Sequence, residues 1–199
     1  MIKYIIFDLG NVLVEIHPQR TMEAFARRCN WSRDIVSSFY LSDLHLGFMD
    51  GKFPPGEFYR IMMERHPCNI DPAEFKSLWN QVIGEPKDGI EDLLSQLEKK
   101  FILAVCSNTD PWHWQKVVNK FSFIKKFKHN FLSFEMGVNK PDSRIFEMIL
   151  KDLNIMGNSC IFIDDLKENI DAALKTGITG ICSSDPAEIK GELQSMKII

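Results

Sequence analysis

Four short runs of β-branched and aromatic residues constrain the fold more than anything else in the chain: Ile2 to Phe7, Phe101 to Cys106, Cys160 to Ile163 and Ile178 to Cys182. Each is nearly continuous in apolar side chains instead of alternating, which is the pattern of strands covered on both faces. Asn130 to Phe134 is a weaker fifth candidate. Amphipathic stretches lie between and after these runs, at Lys87 to Lys99, Pro111 to Phe121, Pro141 to Leu153 and Leu166 to Thr176. Strands and helices in this rhythm predict an α/β fold built on a doubly wound parallel sheet.

One region breaks the rhythm. Arg20 to Gly84 holds no convincing strand but several helical patterns, near Thr21 to Arg28, Arg33 to Leu44, Pro54 to Arg65 and Pro72 to Val82. Pro54, Pro55, Pro67 and Pro72 punctuate them, and Pro72 suits a first helical turn. The expected organisation is therefore a core of residues 1–16 and 87–199, with a helical module inserted at 17–86. Within that module Phe39, Tyr40, His45, Phe48, Phe53, Phe58 and Trp79 read as helix-packing residues. In the run Trp112-His113-Trp114 one tryptophan should face the core, while the other could line a pocket mouth.

Composition excludes several classes. With 199 residues, 45% hydrophobic and 26% charged, the chain suits an ordinary globular protein with one sizeable core and a small module. A net charge of −3 offers no field for nucleic acid or anionic lipid. No apolar run approaches the ~20 residues of a membrane span. Lys3 stands inside the first strand with no separate apolar segment ahead of it, so no signal peptide is visible and a cytoplasmic place is expected. Without a secretion signal, the glycosylation pattern Asn30-Trp31-Ser32 carries no weight. Cys29, Cys68, Cys106, Cys160 and Cys182 are scattered, so they are expected to be buried thiols in a reducing compartment. The run Lys120 to His129 reads as a solvated helix end, and His66 and His129 as surface residues.

Function is carried by the residues just after the strand runs, because ligands of an open parallel sheet bind outside the carboxyl ends of its strands. Asp8, Gly10 and Asn11 come after the first run; Ser107, Asn108 and Thr109 come after the second. Gly137 to Pro141, including Lys140, succeeds the weak fifth run, and Asp164, Asp165 and Asn169 succeed Cys160 to Ile163. Three converging aspartates repel one another and are costly to desolvate unless a hard dication such as Mg2+ joins them. Lys140 and the Ser107 hydroxyl add what a phosphate-like anion requires. Carboxylates, metal, lysine and hydroxyl together form a phosphoryl-transfer site.

Asp8 in FDLGNV, Ser107 in VCSNTD, Lys140 in NKPDSRIF and the IDDLKEN segment holding Asp164, Asp165 and Asn169 resemble, in order, the four motifs of the haloacid dehalogenase-like (HAD) hydrolases. The resemblance covers essentially the whole chain, and the helical insertion is similar to the C1 cap of that superfamily. The DLGNV and SNT variants look most like the branch containing alpha-D-glucose-1-phosphate phosphatase. The resemblance implies a Rossmann-like core and a phosphatase of small phosphorylated molecules, a sugar phosphate foremost, with no nucleic-acid or membrane partner. It implies that Asp8 is the nucleophile and binds Mg2+ together with the Gly10 carbonyl and Asp165. Asp164 would support the metal, Asn169 would stand behind it, and Ser107, the Asn108 amide and Lys140 would hold the phosphoryl group.

One position departs from the family pattern. Two residues after the nucleophile most of these phosphatases carry an aspartate that protonates the leaving oxygen, and here that residue is Gly10. Three accounts follow: the leaving group departs with little protonation, as an anomeric hydroxyl or acyl phosphate would; water or another side chain supplies the proton; or activity is weak. Among the side chains, His17 is the nearest candidate. Two other functions stay open: a 2-haloacid dehalogenase, which needs no metal, and a phosphate-binding regulatory protein without turnover.

Overall fold

The structure is a computed structural model that describes residues 1–40 and 42–199, with Tyr40 described through its backbone alone; the packing expected of the Tyr40 side chain lies outside the described residues. The central parallel sheet is formed by β1 (Tyr4–Phe7), β4 (Ile102–Ser107), β5 (Phe127–Leu132), β6 (Cys160–Asp164) and β7 (Thr179–Cys182), in the order β5-β4-β1-β6-β7. β1 lies in the middle, with Ile5 beside Leu103 on one side and Ile161 on the other. Its side chains feed two apolar clusters alternately. Ile5 and Phe7 join one with Leu103, Val105 and Ile163, and Ile6 joins the other with Ala104, Cys106 and Phe162. Coverage on both faces is why these runs are continuous in apolar residues.

Helices α6 (Ile90–Leu97), α7 (Pro111–Lys120), α9 (Arg144–Asp152), α10 (Lys167–Leu174) and α11 (Pro186–Ser195) flank the sheet, and a short α8 (Ser133–Met136) follows β5. The helix α11 was not foreshadowed, although its start repeats the Asp-Pro signal of Asp71-Pro72. Asp185 accepts from the amides of Ala187 (2.7 Å) and Glu188 (3.1 Å), and Pro186 fills the first turn. β5 begins three residues earlier than expected, so Phe127 to His129 is strand and not helix end. It is the edge strand, and its exposed Lys128 and Asn130 blurred the apolar signal.

The inserted region is helical: α1 (Pro18–Cys29), α2 (Arg33–Tyr40), α3 (Asp43–Met49), α4 (Pro55–Arg65) and α5 (Pro72–Trp79). It has its own aromatic cluster, in which Phe25, Trp31, Phe48, Phe58, Phe75 and Trp79 are buried and rings of Phe48 and Phe58 stack 4.2 Å apart. The pattern read as one helix from Arg33 to Leu44 ends in two, because the Ser42 hydroxyl accepts from the His45 amide at 3.2 Å and caps α3. At the neck of the region, β2 (Val14–Ile16) and β3 (Ile83–Pro86) form an antiparallel pair. Three and four residues long, and holding Gly84 and Pro86, they give no strand signal in sequence.

The cap side is fastened to the sheet side behind α3. The buried Ser133 hydroxyl donates to the Met49 carbonyl at 2.7 Å and accepts from the Thr109 amide at 3.0 Å, while Asp50 bonds Asn139. Gly51, with φ of 72°, lies so close to α8 that a Cβ there would stand 2.1 Å from the Phe134 carbonyl oxygen.

Three expectations need correction. Cys29 and Cys68 form a disulfide, and Cys182 is exposed, so the five cysteines are not all buried thiols. The pair is 39 residues apart in sequence, and only the packing of α1 beside α5 brings it together; Arg28 reaches both Glu74 and the Asn69 carbonyl there. His66 is half-buried, edge-on to Phe39 at 5.0 Å, and His129 is half-buried in β5, stacked on Phe131. Finally, Trp112 packs into the cap's aromatic cluster and Trp114 against the sheet's, so the residue of that run that lines a cavity is His113. No helix among the described residues is long and apolar enough to cross a membrane.

Candidate active site

Parallel strands deliver their carboxyl ends to one edge of the sheet, and the polar clusters meet there. Asp8 directly follows β1, and its amide donates to the Ile163 carbonyl at 2.8 Å, so the nucleophile candidate is fixed to the neighbouring strand. Lys140 sits between two carboxylates: its Nζ donates to Asp8 Oδ1 at 2.7 Å and to Asp164 Oδ2 at 2.6 Å. Asp164 accepts further bonds from the Leu166 amide (2.9 Å) and from Asn169 Nδ2 (2.9 and 3.0 Å), which uses nearly all of its acceptor capacity. Asp165 is half-buried and accepts from Asn11 Nδ2 at 3.1 Å. Asn11 has φ of 57°, which turns the chain tightly enough to bring it there.

Ser107 is buried at the end of β4 beside Asn108. The Asn108 side chain and the Lys140 backbone exchange two 2.8 Å bonds, Nδ2 to the carbonyl and amide to Oδ1, so the loops carrying Ser107 and Lys140 are pinned together.

Electrostatics follow from burial. Burial pushes the Asp8 carboxyl up to about 6, Lys140 opposes this, and the Asp164 charge adds to it. Burial works to lower the Lys140 ammonium, but Asp8 and Asp164 outweigh it and hold it above its ordinary range. Cys106, one residue before Ser107, is pushed up to about 12 by burial and stays a thiol.

Ligand oxygens of Asp8, Asp164 and Asp165 lie within 4.8 Å of one another. One ammonium, bonded to Asp8 and Asp164, stands in a cluster of three carboxylates, and all the metal-ligand atoms are oxygens; this set fits a hard dication such as Mg2+.

A cavity of about 240 Å³ opens above the site. Asp8, Ser107, Asn108, Thr109, Lys140 and Asn169 line its polar end. Pro18, His45 and Met49 reach it from the cap side. His17, the proton donor suggested by its place in sequence, is not among the lining residues and pairs with Glu15 at 3.0 Å. Gly10 lines the cavity, and the space a Cβ would take is shared with Ile16 Cγ1, 3.1 Å away.

Sequence reasoning missed one group. Asp110 is fully buried, caps α7 through the Trp112 (2.8 Å) and His113 (3.0 Å) amides, and accepts from Trp79 Nε1 at 3.0 Å. His113 Nδ1 lies 2.7 Å from it, while His113 Nε2 reaches the Trp79 carbonyl at 3.2 Å. Burial raises the Asp110 carboxyl, but His113 and the hydrogen bonds from His113 and Trp79 win and hold it below the usual carboxylate range. Asp110 was not singled out in the sequence, and nothing there marked the partner helix that brings Trp79 to it.

Comparison with known proteins agrees with this architecture. The curated D-ribitol-5-phosphate phosphatase of Bacteroides thetaiotaomicron is 24% identical over 200 residues, covering 97% of each chain. The phosphorylated carbohydrates phosphatase of Thermotoga maritima is 24% identical over 189 residues, covering 89% of this chain and 82% of that protein. A crystal structure of a HAD family enzyme from Bacteroides thetaiotaomicron, in complex with magnesium and inorganic phosphate, superposes with a TM-score of 0.84 at 27% identity, covering 92% and 94% of the two chains. Residues 2–177 match the haloacid dehalogenase-like hydrolase family, and with the sheet, the strand-end clusters and the acidic trio in place, the chain belongs to it.

Proposed function

We propose that the chain is a magnesium-dependent phosphatase that hydrolyses a small phosphorylated metabolite through an aspartyl-phosphate on Asp8. The observation that carries this reading is Asp8 at the floor of a small cavity, paired with Lys140 and flanked by Ser107 and two further carboxylates.

Asp8 attacks phosphorus with a carboxylate oxygen, and the bond from phosphorus to the leaving oxygen breaks, its electron pair departing with the leaving group. Lys140 neutralises the phosphoryl oxygens and orients Asp8, and Ser107 with the Asn108 amide binds the same group. Asp8, the Gly10 carbonyl and Asp165 would hold Mg2+, with Asp164 supporting it or its waters, and the ion would supply positive charge against the phosphoryl oxygens. Asn169 fixes Asp164. Water then attacks phosphorus and releases phosphate, and Asp8 is regenerated. Residues 17–86 act as the cap that keeps bulk water out of the cavity.

The names of two relatives support a phosphorylated carbohydrate as substrate. A dehalogenase would leave the acidic trio without a role, which is the reason to set it second. The test is phosphate release from p-nitrophenyl, acyl and sugar phosphates with Mg2+ or EDTA, in wild type and Asp8→Asn. Release that needs Mg2+ and vanishes in Asp8→Asn is the expected result; release that survives EDTA, or none above the variant, would overturn the reading.

A further inference from the structure

An alcohol that leaves a phosphate monoester departs as an alkoxide unless a proton reaches it, and Gly10 has no side chain to bring one. Among the described residues that line the cavity, the titratable side chains are Asp8, Lys140, His45 and His113. Three of these have other work. Asp8 is the nucleophile of the proposed reaction. Lys140 donates to Asp8 at 2.7 Å and to Asp164 at 2.6 Å, and the two carboxylates hold its proton above the ordinary range. His113 stands between two acceptors, with Nδ1 2.7 Å from Asp110 and Nε2 3.2 Å from the Trp79 carbonyl. A proton given up from either nitrogen would leave a lone pair facing an acceptor.

His45 is the fourth, and it stands on the side where the proton is needed. In-line displacement sets the leaving oxygen on the face of phosphorus opposite the attacking carboxylate. With Asp8 at the cavity floor, that oxygen points to the cap side, from which Pro18, His45 and Met49 reach the cavity. The His45 ring is buried and packs edge-on to Trp79, with centroids 5.2 Å apart, and Trp79 is held in turn by Asp110 at 3.0 Å. Both ends of α3 are tied down: Ser42 accepts from the His45 amide at 3.2 Å, and Ser133 donates to the Met49 carbonyl at 2.7 Å. Histidine holds and releases a proton near neutral pH, and its two ring nitrogens let it be anchored through one and serve a ligand through the other. The cavity, at about 240 Å³, falls below the roughly 300–1,000 Å³ of drug-sized pockets, so a metabolite that fills it touches floor and roof together.

We infer that His45 is the general acid of the reaction, giving a proton to the leaving oxygen from the roof in place of the side chain that Gly10 lacks. This inference rests on the phosphatase reading above and adds a catalytic residue to it. The P–O bond to the leaving oxygen breaks as the Asp8–P bond forms. The electron pair stays with that oxygen, which takes the proton of the His45 imidazolium and departs as an alcohol. Water then attacks phosphorus, the Asp8–P bond breaks, and the proton of the water passes to the neutral imidazole. Phosphate is released, and the Asp8 carboxylate and the imidazolium are restored. Such a donor serves alcohol leaving groups, which are those of the phosphorylated carbohydrates proposed above.

The experiment pairs sugar and polyol phosphates, ribitol 5-phosphate among them, with analogues that carry sulfur as the bridging atom, using the full chain with Mg2+. An alkanol, near water's roughly 15.7, needs the proton to leave. A thiol near about 8.5 leaves without it, and the two members of a pair share their other contacts. The readout is kcat/KM, which ends at departure of the leaving group and so excludes the later attack of water. On the oxygen substrate that wild type turns over fastest, His45→Gln and His45→Asn should each lose at least about 10²-fold, the lower figure for general acid help. On its sulfur analogue the loss should stay below about tenfold, and that retained turnover shows that the variant is folded. His113→Gln, which acts through Asp110 and the cap, should slow both members of the pair alike.

Equal losses on the oxygen and sulfur substrates would make His45 a binding or structural residue, which overturns the inference and leaves the phosphatase intact. So would a loss selective for oxygen in His113→Gln and absent from the His45 variants. A wild type that turns over p-nitrophenyl phosphate but no sugar or polyol phosphate would also overturn it, since no acid would then be serving an alkoxide. Absence of turnover above Asp8→Asn on every substrate, p-nitrophenyl phosphate included, would overturn the phosphatase reading itself.

Discussion

Asp8 is the residue at which stability and the proposed chemistry oppose each other. The folded chain holds its proton more tightly than the unfolded chain, whose carboxyl has the ordinary value of 3.8. The stability this proton confers is full below pH 3.8 and is lost as the pH rises through about 6. Without metal, therefore, wild type should lose on the order of 2–3 kcal/mol between pH 4 and 7 relative to Asp8→Asn, in which the titration is absent. Thermal melts in EDTA across this range measure the difference, and a wild-type curve parallel to that of Asp8→Asn would refute it. Adding Mg2+ at pH 7 should restore much of the loss to wild type and little to the variant. Lys140, shared between Asp8 and Asp164, limits the repulsion to what one ammonium can offset.

At the scale of elements, the end of α3 meets α8 where the inserted helices touch the sheet side. Gly51 combines a positive φ with a Cβ position inside the Phe134 carbonyl, so Gly51→Ala must move one segment off the other. It should cost more than about 1 kcal/mol and raise KM, because Met49 lines the cavity two residues away. Gly56, in α4, has open space around its Cβ position, so Gly56→Ala should be neutral or stabilise by up to about 1 kcal/mol. Urea denaturation of the two variants side by side checks the pair; equal effects would mean that the close approach is not tight. The elements legible in sequence were those with a strong period or a cap, such as the buried strands and α7. The β2-β3 pair was invisible because it draws its strand character from pairing across the neck instead of from its own few residues. The split of α2 from α3 was missed because Ser42 caps a helix inside a run whose apolar period continues.

Across the whole molecule, the polar ends of four strands could be assigned to one site from sequence because a parallel sheet has only one carboxyl edge. The roof could not, since His45, Met49 and His113 reach the cavity through helix packing that no local pattern encodes. The same holds for Cys29 and Cys68, which meet only through the packing of α1 and α5. Their bond closes a loop of 39 residues within the cap, and reducing it should remove about 3–4 kcal/mol of stabilisation in the chain-entropy account. The expected readout is faster hydrogen exchange in α1 and α5 on reduction, with β1, β4 and β6 unchanged; uniform change throughout would contradict a separate cap cluster. Asp110 joins the two halves at the place that matters most, gripping Trp79 of the cap's aromatic stack while capping the helix that continues the Ser107 loop. A roof fastened in this way shares its hydrogen bonds with the loop beneath it. A poorly fitting molecule that tilts the roof also drags the Ser107 loop, the proposed phosphate holder, out of line, so discrimination between substrates should register in how fast bound molecules react more than in how tightly they are held.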